Sequence, residues 1–260
     1  MKFSRALVVA GFYSLINLVA GQSSTQICDA NGICFEGYQD PTLDTFVGII
    51  LPPLTTPPST EYIVQLVAPI SYGWTGASMG GQMADSLLFV FWPSGDDVVF
   101  SSRWTDGYVQ PLLYAGPTVT MLSGSGSNGT HLIATFRCQN CTSWDGGSID
   151  PSGSSQVLAY ATSTDTPVDD PTNPASNFTE HNDFNFFGLV TANAISSDYQ
   201  SILSKLSPPS SAPTSSAPSS SAPSSSPSHT SAPSSPSPSS TSPSHTTSAS
   251  GAEQTKYGQW

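Results

Sequence analysis

The chain has 260 residues, and 18 acidic residues against 6 basic ones give it a formal net charge of -12 at pH 7. Such a charge repels phosphate backbones and anionic headgroups, which excludes nucleic acids and membrane surfaces as expected partners. The length allows one substantial core beside segments that do not fold.

Residues 1–21 have the pattern of a secretory signal peptide. Lys2 and Arg5 form a short basic start, an apolar stretch runs to Ala20, and Gly21 adds a second small residue for cleavage. The apolar stretch is too short and too interrupted by polar residues to predict a membrane span. We therefore expect a secreted, extracellular protein without a membrane anchor.

Residues 22–206 have the pattern of one all-β domain. Short runs rich in Val, Ile, Leu and aromatic residues alternate with Gly, Pro, Asn and Asp turns. The predicted strands cover residues 45–51, 62–68, 86–92, 98–103, 119–122, 131–137, 157–162 and 184–190. Only residues 192–206 have the apolar spacing of a helix. Many short strands separated by turns predict an antiparallel, immunoglobulin-like β-sandwich.

The cysteines form two local pairs, Cys28/Cys34 and Cys138/Cys141. In an oxidising compartment two short-loop disulfides are the default, although four cysteines allow three connectivities. A zinc site built from both pairs is the alternative, and the wide separation of the pairs disfavours it. No histidine follows Cys141, so the second pair is not a site for covalent haem attachment.

Three N-x-[ST] sequons agree with secretion, and they begin at Asn128, Asn140 and Asn177. We expect glycosylation at these residues, first of all at Asn128, which lies in a Gly/Ser loop.

Residues 207–250 consist almost entirely of Ser, Pro, Thr and Ala. This composition cannot bury enough apolar surface to offset chain entropy, so we expect a disordered linker. Residues 254–259 resemble the opening of a fungal cellulose-binding module, but the cysteines that would stabilise so small a module are missing. We therefore interpret residues 251–260 as a remnant of such a module, with weak cellulose association at most.

His181 is the one histidine expected inside the folded domain, because His131 adjoins a sequon and His229 and His245 lie in the Ser/Pro segment. A buried imidazole among aromatic residues needs a bonding partner. A metal is one such partner, and Met83 is a candidate for a second, soft ligand. From the residues alone, a hydrogen-bonded histidine and a core methionine are the commoner roles.

From residue 26 to residue 206 the chain resembles the N-terminal cytochrome domain of fungal cellobiose dehydrogenases. The matching stretches occur in one order along the domain, which makes the resemblance specific. They are LPPL at 51–54, VAPI at 67–70, GGQM at 80–83, RWTDGYVQP at 103–111, FRCQNC at 136–141, VDDP at 168–171 and FTEHNDFNFFG at 178–188.

The resemblance implies a β-sandwich of the DOMON type that binds one non-covalent haem b. It implies Met83 and His181 as the axial ligands, and the Gly-Gly-x spacing favours Met83 over the nearby Met79. It further implies that Tyr108 lies near a haem propionate and that Phe184 packs near the haem. The second cysteine pair matches a disulfide of the family.

Two strong axial ligands leave iron no open position, so outer-sphere electron transfer is expected rather than catalysis. The resemblance implies a secreted electron carrier that is not itself an enzyme and that takes part in plant cell wall degradation. Its donor would be a sugar-oxidising flavin dehydrogenase, and its acceptors copper polysaccharide monooxygenases, quinones or ferric ions. The chain has no βαβ alternation, so we expect these partners to be separate proteins. We expect a monomer.

A haem-free β-sandwich that binds carbohydrate is the alternative. Trp74, Trp92, Trp104 and Trp144 are its candidate sugar-stacking residues, although core packing is the commoner use of tryptophan. A third hypothesis is a redox-dead relative with a degraded pocket, which nothing in the sequence around the two ligands favours.

Overall fold

The computed structural model describes residues 21–165 and 169–207. The predicted linker and cellulose-binding remnant lie outside these residues, apart from residue 207, and so does the predicted signal peptide, apart from residue 21. The strands in chain order are β1 (Thr25–Cys28), β2 (Cys34–Gln39), β3 (Phe46–Ile50), β4 (Tyr62–Pro69), β5 (Trp74–Ser78), β6 (Leu88–Ser94), β7 (Asp97–Trp104), β8 (Leu112–Leu113), β9 (Thr118–Met121), β10 (Gly126–Ser127), β11 (His131–Gln139), β12 (Ser143–Trp144), β13 (Gly147–Ser148), β14 (Gln156–Ser163) and β15 (Asp183–Leu189). Two short helices follow, α1 (Thr191–Ala194) and α2 (Tyr199–Leu206).

The strands form two large antiparallel sheets and one small hairpin. The seven-stranded sheet has the order β1-β2-β3-β4-β11-β10, with β9 also paired to β11. The six-stranded sheet has the order β15-β14-β5-β6-β7-β8, and β12 pairs with β13. This arrangement confirms the predicted antiparallel β-sandwich. Within the described part of the chain, no helix is long and apolar enough to cross a membrane.

The main core lies between the two large sheets. Alternate residues of β14 and β15, among them Leu158, Tyr160 and Phe187, point into it. Phe89 of β6 meets Phe136 of β11 edge-on, with ring centroids 4.9 Å apart, and so joins the two sheets. Because side chains alternate along a strand, the residues between these ones face away from the core. We call this second surface of the six-stranded sheet the outer face.

The structure contradicts the single helix predicted over residues 192–206. The chain is helical over α1 and α2 only, and Ile195 between them forms a parallel bridge with Leu51. The backbone N–H of Leu51 donates to the carbonyl of Ala194 at 2.7 Å, and Ser196 donates back to Leu51 at 2.9 Å. These bonds to a neighbouring segment replace the hydrogen bonds that would have continued the helix.

Several strands were not predicted, and β5 is the one that matters for the site. Its last three residues, Gly76, Ala77 and Ser78, are small and have low strand propensity. The strand is fully buried and forms because β14 and β6 pair with its two edges. Tertiary pairing therefore overrides the local preference of the sequence.

Candidate functional site

Small side chains occupy the centre of the outer face. Ala161 of β14, Gly76 of β5 and Val90 of β6 lie opposite one another in register across three neighbouring strands. Trp74 and Trp92 pack with Ala161 and Val90 in a cluster separate from the main core. The outer face is therefore apolar, although it points away from the other sheet.

A loop of residues 79–87 joins β5 to β6 and carries both candidate methionines. The N–H of Met79 donates to the carbonyl of Leu87 at 2.9 Å, which closes the loop at its base. Met79 is fully buried and belongs to the main core cluster. Met83 is also buried, with 4% exposure, but it does not belong to that cluster. The thioether of Met79 thus packs in the main core, whereas that of Met83 is buried outside it.

The segment that leads into β15 carries His181. The N–H of Asn182 donates to the carbonyl of Thr162 at 2.8 Å, and its side-chain oxygen accepts from the N–H of Thr164 at 2.7 Å. These bonds tie the backbone beside His181 to the end of β14. The imidazole is half-buried with its Nε2 atom fully covered, and it meets the ring of Phe184 edge-on, with centroids 5.1 Å apart.

Three exposed apolar residues connect the His181 segment with the methionine loop. Phe184, Phe186 and Val157, which we call the apolar strip, have exposures of 40%, 36% and 54%. The strip begins at the ring of His181, which meets Phe184, and Phe184 in turn meets Phe186. The register of β14 and β15 places Val157 diagonally beside Phe186 on the same face. The strip ends under Gly81 of the loop, where an added Cβ would lie 2.8 Å from Val157 Cγ1. Large apolar side chains exposed side by side are typical of a surface that a ligand or partner covers.

Burial lowers the pKa of His181, and the nearby carboxylates of Glu180 and Asp183 oppose this shift. The neutral imidazole is the form that binds a metal, so the lowered pKa favours coordination. In the described part of the chain, no group of three or more His, Cys, Asp or Glu side chains could hold a bare metal ion. One thioether and one imidazole suit instead an iron whose other ligands belong to a macrocycle, and the apolar strip suits the body of that macrocycle.

Tyr108 lies in the loop between β7 and β8 and is 41% exposed. This loop touches the His181 segment, because the N–H of Phe178 donates to Gln110 Oε1 at 3.4 Å. The described contacts do not join Tyr108 itself to Met83 or His181. Of the four predicted site residues, the structure brings His181 and Phe184 into direct contact, places Met83 in the loop over the far end of the strip, and leaves Tyr108 at the rim.

The tryptophans give little support to a carbohydrate-binding surface. Trp74, Trp92 and Trp144 are buried, so their faces are not available to a sugar ring. Trp104 is half-buried, and its indole N–H donates to the carbonyl of Asp145 at 2.7 Å. These residues therefore stabilise the sandwich rather than form an exposed stacking platform.

Both cysteine pairs are disulfide-bonded, Cys28 to Cys34 and Cys138 to Cys141. The first bond closes the hairpin of β1 and β2, where the two cysteines lie opposite each other. The three sequon residues are exposed, namely Asn128, Asn140 and Asn177. Their exposure is what glycosylation requires.

Sequence reasoning missed Arg103, a fully buried cation on the outer face. Two features of the sequence could have indicated it: Arg103 ends the predicted strand 98–103, and it is one of only 6 basic residues in the chain. Arg103 lies opposite Leu88 of β6 and Leu113 of β8.

The chain matches the family model described as the cytochrome domain of cellobiose dehydrogenase, over residues 27–201. It is 33% identical over 216 residues to the pyrroloquinoline quinone-dependent pyranose dehydrogenase of Coprinopsis cinerea, covering 81% of this chain and 30% of that relative. The chain thus spans less than a third of the length of this curated relative.

Two solved structures share the fold. The crystal structure of the cytochrome b domain of pyranose dehydrogenase from Coprinopsis cinerea has a TM-score of 0.67 and 34% identity, covering 71% of this chain and 96% of that one. The cytochrome domain of Myriococcum thermophilum cellobiose dehydrogenase has a TM-score of 0.63 and 29% identity, covering 72% of this chain and 97% of that one.

Proposed function

The chain belongs to the family of cellobiose dehydrogenase cytochrome domains, and from this membership we propose that it binds one non-covalent haem b and carries single electrons outside the cell. One observation carries the proposal: the apolar strip runs from the imidazole of His181 to the loop that holds Met83. Family membership implies electron transfer, and Met83 and His181, at the two ends of the apolar strip, supply the two ligand side chains that such a haem would need.

Met83 and His181 are the proposed axial ligands. Met83 and His181 would hold the haem, which would supply one-electron chemistry between ferrous and ferric iron, and the thioether of Met83 would favour the ferrous state. The covered Nε2 of His181 and the buried side chain of Met83 keep water from the donor atoms. Because both ligand atoms would come from the chain, a haem held by Met83 and His181 would have no coordination position left for oxygen or substrate.

Two further residues support the proposed haem site. Phe184 lies edge-on to His181, which restrains the plane of the imidazole. Tyr108 is proposed to lie near a propionate, which rests on its match to the family sequence and on its exposed place at the rim.

We further propose that sugar-oxidising dehydrogenases supply the electrons. The relative from Coprinopsis cinerea is named as a dehydrogenase of pyranoses that depends on pyrroloquinoline quinone, so quinone-dependent enzymes join flavin dehydrogenases as candidate donors. Copper polysaccharide monooxygenases, quinones and ferric ions are the proposed acceptors, in the setting of plant cell wall degradation. The disulfides and the exposed sequons support an extracellular location.

Absorption spectra of the purified protein and its ligand variants test the proposal. We expect a sharp Soret band and narrow α and β bands on reduction, with Met83→Ala and His181→Ala high-spin or free of haem. Met79→Leu and His131→Ala are matched controls, because Met79 belongs to the main core and His131 pairs with Asp44 at the surface. A low-spin spectrum in either ligand variant, or no Soret band after expression with ample haem, would contradict the assignment.

A further inference from the structure

Arg103 is the most deeply buried cation of the described chain, at 1% exposure. Its guanidinium donates four hydrogen bonds: Nε to Ser101 Oγ at 2.6 Å, one terminal nitrogen to the carbonyl of Pro111 at 2.9 Å, and the other to the carbonyls of Pro174 and Ser176 at 2.5 and 2.7 Å. The side chain therefore joins β7 to the loop that follows it and to the segment that leads to His181.

All of these acceptors are neutral. The salt bridges found within residues 21–165 and 169–207 join Arg137 to Glu61 and His131 to Asp44, and neither involves Arg103. Burial lowers the pKa of Arg103 to about 10, so the group keeps its charge at neutral and acidic pH. A buried charge without a counter-ion costs stability, and the protein could satisfy the same carbonyls with neutral donors.

The position of Arg103 connects this charge with the proposed haem site. The guanidinium lies over the ring of Phe178, 5.4 Å from its centroid, and Phe178 in turn packs against Trp74 with centroids 4.8 Å apart. Phe178 precedes His181 by three residues on the same segment. Arg103 thus lies on the outer face and is hydrogen-bonded to the backbone of the segment that carries His181.

From this geometry we infer that Arg103 is a positioning residue of the haem site, which clamps the His181 segment to the sheet and favours the reduced state of the iron. The inference rests on the proposed function for its electrostatic part. Ferric haem has one positive charge more than ferrous haem, so a buried cation nearby destabilises the ferric state and raises the midpoint potential. The carbonyl clamp is a property of the chain alone.

Ser101 offers a way to neutralise the cation without removing it. Its hydroxyl is 2.6 Å from Arg103 Nε, so Ser101→Asp places a carboxylate beside the guanidinium, and Ser101→Asn is a control of equal size without charge. We expect the midpoint potential of the haem-loaded full chain to be lower in Ser101→Asp than in Ser101→Asn. Arg103→Gln should lower it as well, and Arg103→Lys, which keeps the charge, should stay near the wild-type value.

Equal potentials in the two Ser101 variants, both with normal low-spin spectra, would overturn the electrostatic part. If Arg103→Gln does not retain haem, the Ser101 pair still decides, because both variants keep the guanidinium. A wild-type protein without a Soret band would instead contradict the proposed function.

The clamp is tested without haem, by hydrogen exchange of the full-length apo-protein. Amides of residues 175–182 should exchange several-fold faster in Arg103→Gln than in the wild type, whereas amides of β11 should not change. Unchanged exchange in that segment would overturn the clamp.

Discussion

Asp40 is the centre of a buried hydrogen-bond network beneath the site, and its replacement by Ala should destabilise the domain strongly. The carboxylate is 3% exposed. One of its oxygens accepts the hydroxyl of Tyr160, and the other accepts the N–H groups of Thr42 and Leu43 at 2.7 and 3.0 Å. Tyr160 is also buried and lies on β14, on the core side of the strand that carries Ala159 and Ala161 on its outer face.

The expected cost has two parts. A buried tyrosine hydroxyl that loses its acceptor costs about 1–3 kcal/mol. The N–H groups of Thr42 and Leu43 can turn to water, because Thr42 is exposed, so their loss resembles that of a helix cap, about 1 kcal/mol. We therefore expect the free energy of unfolding to fall by about 2–4 kcal/mol in Asp40→Ala. For a domain of this size the melting temperature should fall by about 2–4 °C per kcal/mol.

Urea unfolding of a double-mutant cycle with Tyr160→Phe measures the first part directly. In the Tyr160→Phe background no hydroxyl is left without an acceptor, so Asp40→Ala should cost about 1–3 kcal/mol less than in the wild type. The same cost in both backgrounds would refute the reasoning, as would an Asp40→Ala protein of wild-type stability.

The pH dependence of stability gives an independent check on Asp40. Burial by itself would raise the pKa of this carboxyl, but the hydrogen bonds from Tyr160, Leu43 and Thr42 outweigh it and hold the pKa below the usual 3.8. A lowered pKa contributes stability that is complete above the unfolded value and is lost as the pH falls through the folded value. The stability advantage over Asp40→Asn should therefore persist to about pH 4 and decline below it.

Two further predictions concern the methionine loop and the surface. Gly81→Ala should lower the free energy of unfolding, measured in urea, by about 1–3 kcal/mol, because φ is +77° and the new methyl would lie 2.8 Å from Val157. Gly95→Ala is the control, since Gly95 has a φ of +64° but open space around it, and it should lower the same free energy by about 1 kcal/mol. Equal losses in the two variants would contradict the crowding argument. Arg137→Met should lower the free energy of unfolding by about 1 kcal/mol, and the loss should shrink with added salt, because the side chain of Arg137 is 30% exposed and that of its partner Glu61 14%. A loss above about 3 kcal/mol would show that the pair behaves as fully buried.

Short runs rich in Val, Ile, Leu and aromatic residues, separated by turn residues, predicted most of the long strands of the two sheets. The predicted strand 157–162 corresponds to β14, Gln156–Ser163, and the predicted strand 184–190 to β15, Asp183–Leu189. β5 could not be found in this way, because Gly76, Ala77 and Ser78 are small residues of low strand propensity. The break of the predicted helix at Ile195 depends on a bridge to Leu51, which is distant in sequence.

The residues of the candidate site likewise comprise some that the sequence could predict and some that it could not. Motif resemblance identified Met83 and His181 as candidate ligands, and the placement of Met79 in the main core gives a physical reason for preferring Met83. Local sequence could not show the bonds of Arg103, since three of its four acceptors lie on other segments. A buried cation is recognised only when the chain has folded around it.

Potentiometric titration of the haem-loaded full chain, followed at the reduced α band and repeated under carbon monoxide, tests the central claim most directly. The account predicts one haem per chain, a reversible one-electron wave, and no spectral change of the reduced protein with carbon monoxide, because Met83 and His181 fill both axial positions. If the reduced wild-type protein readily formed a carbon monoxide complex, or if it showed no reversible one-electron wave, the account of an electron-transfer haem with two protein ligands would be contradicted.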